Sequence, residues 1–228
     1  MTMTSDMLSI IKEILEQTKD SGELTTTTSL DSDLLDQLGV KEGSDNSIHV
    51  DRSQRIDLAK RAVQLGVDIA EIVELLTWKD FEGFVASILV ANTFQCVESF
   101  RRRGNSLVHG MEIDVIGVRG DTIISIDAKM WGVRSGKKTA LKQAAEKQKI
   151  RTQELSNELD RLSSKMTNLD TREYRLFPAL VTWLVEEVEF HEGVPVVPIF
   201  KLNSFILEFY QYEDFMVSYL GHHQNSSD

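Results

Sequence analysis

The sequence predicts an α/β protein in which helices flank a mixed sheet, with a helical region in front of it. Three strand-like runs lie close together in the middle of the chain, at 95–101, 111–118 and 122–131. Amphipathic helical patterns stand on both sides of them, whereas residues 1–77 carry helical patterns alone. We therefore expect an acidic helical region over 1–77 and an α/β domain over 78–228.

The composition is typical of a globular protein without disulfides. Of the 228 residues, 41% are hydrophobic and 27% are charged. Cys96 is the single cysteine, which excludes an internal disulfide, and no Cys/His cluster has the spacing of a zinc site. The sequence has neither a secretory signal pattern nor a run of about 18 apolar residues. We therefore expect a cytoplasmic protein with no membrane partner.

The charges are segregated along the chain. The formal net charge is -11, which by itself argues against a polyanionic partner. Residues 101–151, however, contain twelve Lys and Arg against five Asp and Glu, so the basic residues are concentrated in one block. A block of this kind can attract nucleic acid even when the whole chain is acidic.

The N-terminal region contains helical patterns of differing strength. Residues 7–19 have the spacing of an amphipathic helix, and 20–50 read as a polar connector with one short helix at 31–38. Residues 55–76 resemble a helix-turn-helix, but the second helix carries acidic residues and no Lys or Arg, which would repel phosphate. We favour a helical hairpin that packs on this chain or on a protein partner.

The α/β domain is predicted to open with a capped helix. Thr77 and Asp80 resemble a capping box in front of a helix that ends near Asn92. After the three strands, in which Gly120 and Asp121 suit a two-residue hairpin turn, a helix of nearly thirty residues is expected. This helix spans 137–166. The remaining elements are strands at 177–185 and 194–200 and a short helix at 204–212.

The hairpin register brings two carboxylates together. If Arg119 pairs with Thr122, Asp114 lies opposite Asp127, with both side chains on one face about 5 Å apart. Opposed like charges destabilise a sheet, so a compensating cation is expected. Lys129 is one candidate because strand alternation places it on the same face as Asp127. A Mg²⁺ ion is the other, since carboxylates and carbonyls are its preferred ligands.

A third carboxylate precedes the hairpin. Glu82 lies on the apolar stripe of the helix that starts at Trp78, so its charge needs a partner. The structural alternative is that Glu82 forms a salt bridge with Lys129 while Asp114 caps a local turn.

The order of these residues resembles a known family. Glu82 in an opening helix, Asp114 in a strand and Asp127-Ala128-Lys129 at the end of the next strand resemble the PD-(D/E)XK nuclease superfamily, which has a restriction-endonuclease-like fold. The run LTWKDFEGFVASIL and the Gly-Asn-Ser stretch at 104–106 are similar to Mrr-type endonucleases and archaeal Holliday junction resolvases. The resemblance covers about residues 78–200, and Ile113 replaces the proline of the motif.

The resemblance implies a Mg²⁺-dependent endonuclease that hydrolyses DNA phosphodiester bonds, with Mn²⁺ as an alternative metal. Asp114, Asp127 and the Ala128 carbonyl would hold the metal, Glu82 would complete the site directly or through water, and Lys129 would orient and help deprotonate the attacking water. The alternatives are a nuclease-like domain that binds nucleic acid without cutting it, and an assembly protein whose carboxylates are structural. The substrate, including branched or modified DNA, is not fixed by the sequence.

The basic block supplies candidate contacts to DNA, although a solvated helix face is the structural alternative. The candidates flank the first and third strands: Arg101, Arg102, Arg103, Ser106, Arg134, Lys137, Lys138 and Lys142. The heptad-like residues within 155–166 either form a homodimer seam or cover the sheet of their own chain.

Overall fold

A computed structural model provides the fold of the protein. The residues that it describes are 2–20, 23–25, 32–41, 47–104, 109–131, 136–166 and 169–224. The chain divides into two compact units, 1–84 and 85–228, and the division lies within a helix. None of the helices in these described ranges is both long enough and apolar enough to cross a membrane.

The N-terminal unit is mainly helical. A two-stranded antiparallel sheet, formed within the segment expected to be a connector, joins its helices. The strands are too short to give a periodic pattern in the sequence, which explains why they were not predicted. The elements are α1 (Thr2–Gln17), β1 (Glu23–Thr25), α2 (Ser32–Gln37), β2 (Ser47–His49), α3 (Arg52–Gln64), α4 (Ile69–Glu74) and the first half of α5 (Trp78–Ala91).

Arg55 connects three parts of the N-terminal unit. Its guanidinium lies 3.0 Å from the Asp80 carboxylate and donates to the carbonyls of Leu15 and Leu75. Asp80 also caps α5, since it accepts from the Thr77 amide while Thr77 Oγ1 accepts from the Asp80 amide, as the capping-box pattern predicts. A buried cation with this many partners fixes the start of α5 against α1 and α4.

The C-terminal unit contains a seven-stranded mixed sheet, which confirms the predicted α/β fold class with helices flanking a mixed sheet. The strand order is β3-β4-β5-β6-β8-β7, and β9 also pairs with β6. The elements are β3 (Gln95–Arg102), β4 (Met111–Arg119), β5 (Thr122–Lys129), α6 (Lys137–Leu155), α7 (Leu159–Ser163), β6 (Glu173–Thr182), β7 (Phe190–His191), β8 (Val194–Pro198), α8 (Ile199–Leu207), α9 (Phe209–Tyr212) and β9 (Tyr219–His222).

Strand β6 has three partners. It runs parallel to β5 along its length, parallel to β8 over Leu180–Thr182, and antiparallel to β9 over Glu173–Leu176. Strands β5 and β6 are buried almost throughout, so they show continuous apolar runs rather than alternation. Strand β9 lies in the tail, which carries no strand pattern, and was not predicted.

The predicted long helix is divided in two. Helix α6 ends at Leu155 and α7 begins at Leu159, so the helix expected over 137–166 is interrupted by a turn. The apolar side chains after the break are buried in their own unit, packed with Phe100, Ile113 and Tyr174. The residues over 155–166 therefore cover the sheet of their own chain, which is the second of the two alternatives given for them. They do not form the homodimer seam that was the first alternative.

Candidate active site

The β4–β5 hairpin has the register expected from its turn. Arg119 pairs with Thr122 and the pairing continues to Val115 with Ile126. Gly120, at φ +61°, takes the left-handed conformation that the two-residue turn requires. The next pair in this register would be Asp114 with Asp127, so both carboxylates lie where the regular ladder ends.

Asp114 contacts the segment that contains the other predicted site residues. Its Oδ2 accepts a hydrogen bond of 2.8 Å from the backbone amide of Ala128. A side chain, rather than the paired backbone, therefore connects β4 to the end of β5. This contact places the Asp114 carboxylate at Ala128, the residue between Asp127 and Lys129.

Asp127 is buried between two cations. Only 3% of the residue is exposed. Its Oδ2 lies 2.6 Å from Lys129 Nζ, and its Oδ1 lies 3.0 Å from Arg151 Nη1. The Lys129 contact is an ion pair without hydrogen-bond geometry, because Oδ2 has no hydrogen-bond partner in the described part of the chain. Lys129 is thus the compensating cation that strand alternation predicted, and one buried carboxylate oxygen remains without a donor.

Arg151 was not identified as a site residue from the sequence. It lies on α6, whose buried face contains Leu141, Ala145 and Gln148. Gln148 donates to Ser125 in the buried part of β5, a contact of 2.8 Å that fixes the helix over this strand. Arg151 lies three residues after Gln148, on the same side of α6. Its side chain reaches Asp127, which lies two residues after Ser125 on β5. The apolar and small residues around Gln148 mark the buried face of α6, and this was the signal that could have placed Arg151 beside the sheet.

A cleft lies between the end of β5 and α6. Its volume is about 300 Å³. It combines three basic side chains with one carboxylate, and a tryptophan forms part of its wall. The lining residues are Asp127, Lys129, Trp131, Ala140, Gln143, Ala144, Lys147 and Arg151. We call this the β5–α6 cleft; its charge suits an anionic ligand.

Glu82 belongs to the N-terminal unit. Its residue is 4% exposed, as expected for a position on the apolar stripe of α5. Lys79 Nζ lies 2.7 Å from Glu82 Oε2, so the partner that its charge requires comes from the preceding turn of the same helix.

The predicted DNA-contacting residues around β3 differ in their surroundings. Arg101 is exposed and pairs with Glu112, and Arg103 is also exposed. Arg102 is largely buried and pairs with both Glu154 and Glu158. Burial acts to lower the pKa of Arg102, but the hydrogen bonds to these carboxylates outweigh it and raise that pKa above its ordinary value. Arg102 thus connects β3 to the α6–α7 region, which favours a structural role.

The residues around the start of α6 also differ. Lys137 Nζ lies 2.6 Å from the buried Glu186 and donates to the Trp131 carbonyl. Lys138 and Lys142 are exposed, and Lys138 lies 3.6 Å from Glu187. Ser106 and Arg134 lie outside the described residues.

A further group of ligand-type side chains lies near β7. Glu146, His191 and Glu192 bring one potential ligand atom each within 4.8 Å of the others, and no other group of three His, Cys, Asp or Glu residues does so within the described ranges. His191 Nε2 lies 3.0 Å from Glu146, and Lys149 Nζ lies 3.0 Å from Glu192. The hydrogen bond from Lys149 lowers the pKa of Glu192. The carboxylates of this exposed group therefore have partners within the protein.

Comparisons with known proteins give the following similarities. No family model matches the sequence. An uncharacterized protein from Archaeoglobus fulgidus is 28% identical over 137 residues, which are 60% of this chain and 95% of that protein. Protein VC1899 from Vibrio cholerae is similar in structure, with a TM-score of 0.40, 13% identity and coverage of 94% of this chain and 52% of that one. Can2 from Sulfobacillus thermosulfidooxidans, solved with cyclic tetra-adenylate, has a TM-score of 0.36, 10% identity and coverage of 92% and 50%. The chain spans about half the length of these two solved structures.

Proposed function

We propose that the protein is a metal-dependent nuclease whose reaction takes place at the β5–α6 cleft. The observation that carries this proposal is the buried Asp127 carboxylate, which faces a cleft with three basic side chains while the Asp114 carboxylate lies against the adjacent Ala128 amide. Paired carboxylates beside cations are suited to phosphodiester hydrolysis, because the reaction needs an activated water and positive charge near the phosphate.

The residues present fit a divalent metal. Asp127 Oδ2 is buried and makes no hydrogen bond of regular geometry among the described residues, and the Lys129 ammonium lies 2.6 Å from it, so the position favours a cation. Asp114, Asp127 and the Ala128 carbonyl are hard oxygen ligands, which suit Mg²⁺ or Mn²⁺. A bound metal would supply Lewis acidity and lower the pKa of a coordinated water.

The side chains of the cleft have distinct roles in this proposal. Lys129, already at Asp127, orients the attacking water and helps to deprotonate it. Arg151 and Lys147, one helical turn apart on α6, hold the phosphate and stabilise the charge that develops on it.

The experiment is a cleavage assay on linear duplex, single-stranded, flapped and four-way branched DNA, with Mg²⁺, Mn²⁺ or EDTA. Wild type is compared with Asp127→Asn and with Asp121→Asn, a control at the exposed turn of the same hairpin. Cutting that needs metal, is lost in Asp127→Asn and is retained in Asp121→Asn supports the proposal. Retention of full cutting in Asp127→Asn refutes it.

One observation favours a second candidate, a nucleic-acid-binding domain that does not cut. Both oxygens of Asp127 already face a cation, Lys129 at Oδ2 and Arg151 at Oδ1. The negative charge of Asp127 is therefore compensated without a metal. Under this candidate the cleft binds phosphate with or without EDTA, and Asp127→Asn strengthens binding because it removes the one negative charge in the cleft. Binding in EDTA combined with no cleavage of any substrate would identify it.

A further inference from the structure

We infer that the β5–α6 cleft accepts a single unpaired nucleotide, whose base stacks on Trp131 and whose phosphate lies between Lys147 and Arg151. The inference rests on the proposed function and specifies its substrate class. It predicts selection for single-stranded or unpaired regions rather than for continuous duplex.

The size of the cleft suits one nucleotide. The cleft has a volume of about 300 Å³. This is at the lower end of the range of about 300–1,000 Å³ that small-molecule sites occupy. One nucleotide fits a cleft of this size, whereas a base pair with its two backbones does not.

Trp131 gives the cleft an aromatic wall. Trp131 is partly exposed, and Lys129 Nζ lies 5.6 Å from the centre of its ring, so the ring stands directly beside the proposed reacting group. Bases stack on aromatic side chains of single-strand-binding sites with little dependence on sequence. A duplex cannot use such a wall unless a base leaves the stack.

Trp131 is held in place from two sides. Lys137 Nζ donates a hydrogen bond of 2.9 Å to the Trp131 carbonyl, and Lys137 also forms an ion pair with the buried Glu186 side chain. The side chain packs against an apolar cluster that includes Leu141 and Ala144. A ring fixed in this way loses little conformational entropy when a base stacks on it.

Polar side chains of α6 form a row along the cleft. Gln143, Lys147 and Arg151 follow each other at intervals of four residues and all line the cleft. Ala140 and Ala144 are small, which leaves room along the helix. Lys147 has no ion-pair partner in the described ranges, so its charge is available to a phosphate, and the Gln143 amide can donate to and accept from a base edge.

The test measures affinity in EDTA, so that no strand is cut. The probes are a short single-stranded oligothymidylate, an abasic strand of the same length and a blunt duplex of the same length. We expect the full-length protein to bind oligothymidylate at least about fivefold more tightly than the abasic strand or the duplex. Trp131→Ala should remove this preference, and Trp131→Phe, which keeps an aromatic ring, should retain most of it.

A second measurement protects the test against loss of folding in Trp131→Ala. In a Trp78→Phe/Trp183→Phe background Trp131 is the single tryptophan. Its fluorescence should be quenched by oligothymidylate and not by the abasic strand. Equal affinity for all three probes in wild type, or no quenching of Trp131 by oligothymidylate, overturns the inference.

The inference and the proposed function can fail separately. Metal-dependent cutting lost in Asp127→Asn, combined with equal binding of base-containing and abasic strands, overturns the inference alone. Base-dependent binding that quenches Trp131, without cutting under any metal condition, supports the nucleotide site and refutes the nuclease.

Discussion

Arg151 Nη1 lies 3.0 Å from Asp127 Oδ1, so a residue on α6 shares the buried carboxylate that ends β5 with Lys129 of the strand itself. The Asp127 carboxylate thus compensates part of the positive charge of both Lys129 and Arg151. Any cation that binds Asp127 therefore competes with these two side chains. The strength of that competition can be measured for Arg151 without altering the carboxylate.

Arg151→Gln is expected to tighten Mn²⁺ binding about threefold or more, because Asp127 loses one of the two cations that oppose a metal. Isothermal titration calorimetry measures this affinity directly. The same variant should bind single-stranded DNA more weakly, since a phosphate contact is lost. Lys142→Gln, an exposed position on the same helix, is the control and should leave Mn²⁺ affinity unchanged. An unaltered Mn²⁺ affinity in Arg151→Gln would contradict the competition.

The buried pair Gln148–Ser125 should show strong coupling. Ser125→Ala leaves the Gln148 side chain, whose Oε1 already has no partner in the described part of the chain, without its hydrogen bond as well. We expect a loss of about 1–3 kcal/mol in the free energy of unfolding. Ser125→Ala/Gln148→Leu should cost less than the sum of the two single changes, because no polar group is then left unpaired. Urea denaturation of the four proteins measures the cycle, and strict additivity would show that the pair is not coupled.

Arg102 and Arg101 are neighbours in sequence with different expected roles. The Arg102 side chain is 10% exposed and bridges Glu154 and Glu158, whereas Arg101 is 60% exposed. Arg102→Met should lower the free energy of unfolding by about 1–3 kcal/mol. Arg101→Met should change it by less than about 0.5 kcal/mol and should weaken DNA binding instead. Equal stability losses in chemical denaturation would remove the distinction.

The Cys96 thiol should react slowly in the folded protein. Burial, with a smaller contribution from the charge of Glu98, raises its pKa to about 12. The reactive thiolate is therefore scarce at pH 8, and its fraction should continue to rise about tenfold per pH unit up to pH 10 instead of levelling off near the ordinary pKa of about 8.5. Reaction with a disulfide reagent at several pH values measures this, with the urea-unfolded protein as the control. A rate that levels off near pH 9 in the folded protein would refute it.

Exposed lysines of α6 should determine part of the salt dependence of DNA binding. Lys138→Ala and Lys142→Ala are each expected to weaken binding similarly for all sequences and to reduce the slope of log affinity against log salt by about 1. Lys137→Ala is the matched comparison, because Lys137 is paired with Glu186 and holds the Trp131 carbonyl, so its main effect should be a lower melting temperature. Fluorescence anisotropy at several salt concentrations gives the slopes. Unchanged slopes in the two exposed variants would place the DNA elsewhere.

The elements that could be predicted from sequence are those with a local signal. The hairpin register followed from Gly120 and Asp121 and placed Asp114 at the end of β5. Strand alternation placed Lys129 beside Asp127. The capping residues of α5 were equally local, because Thr77 and Asp80 are three residues apart.

The remaining features depend on contacts between distant residues. Strand β9 has no strand pattern of its own and exists because the edge of β6 is available to it. The pairing of Arg151 with Asp127 requires knowledge of how α6 crosses β5, which helical periodicity alone does not give. The ligand group at Glu146 and His191 likewise joins residues 45 positions apart.

One part of β6 obtains its partner on one edge from a strand that comes much later in the sequence. Residues 173–176 present an open edge until the strand at 219–222 has been synthesised and has folded back. An open edge invites pairing with another molecule, and charged residues are a common protection against it. Glu173 and Arg175 alternate on the exposed face of this segment. The half of β6 that pairs with β9 is therefore also the half that carries charge. Loss of the strand at 219–222 would therefore expose an edge of β6 whose outward side chains carry charge.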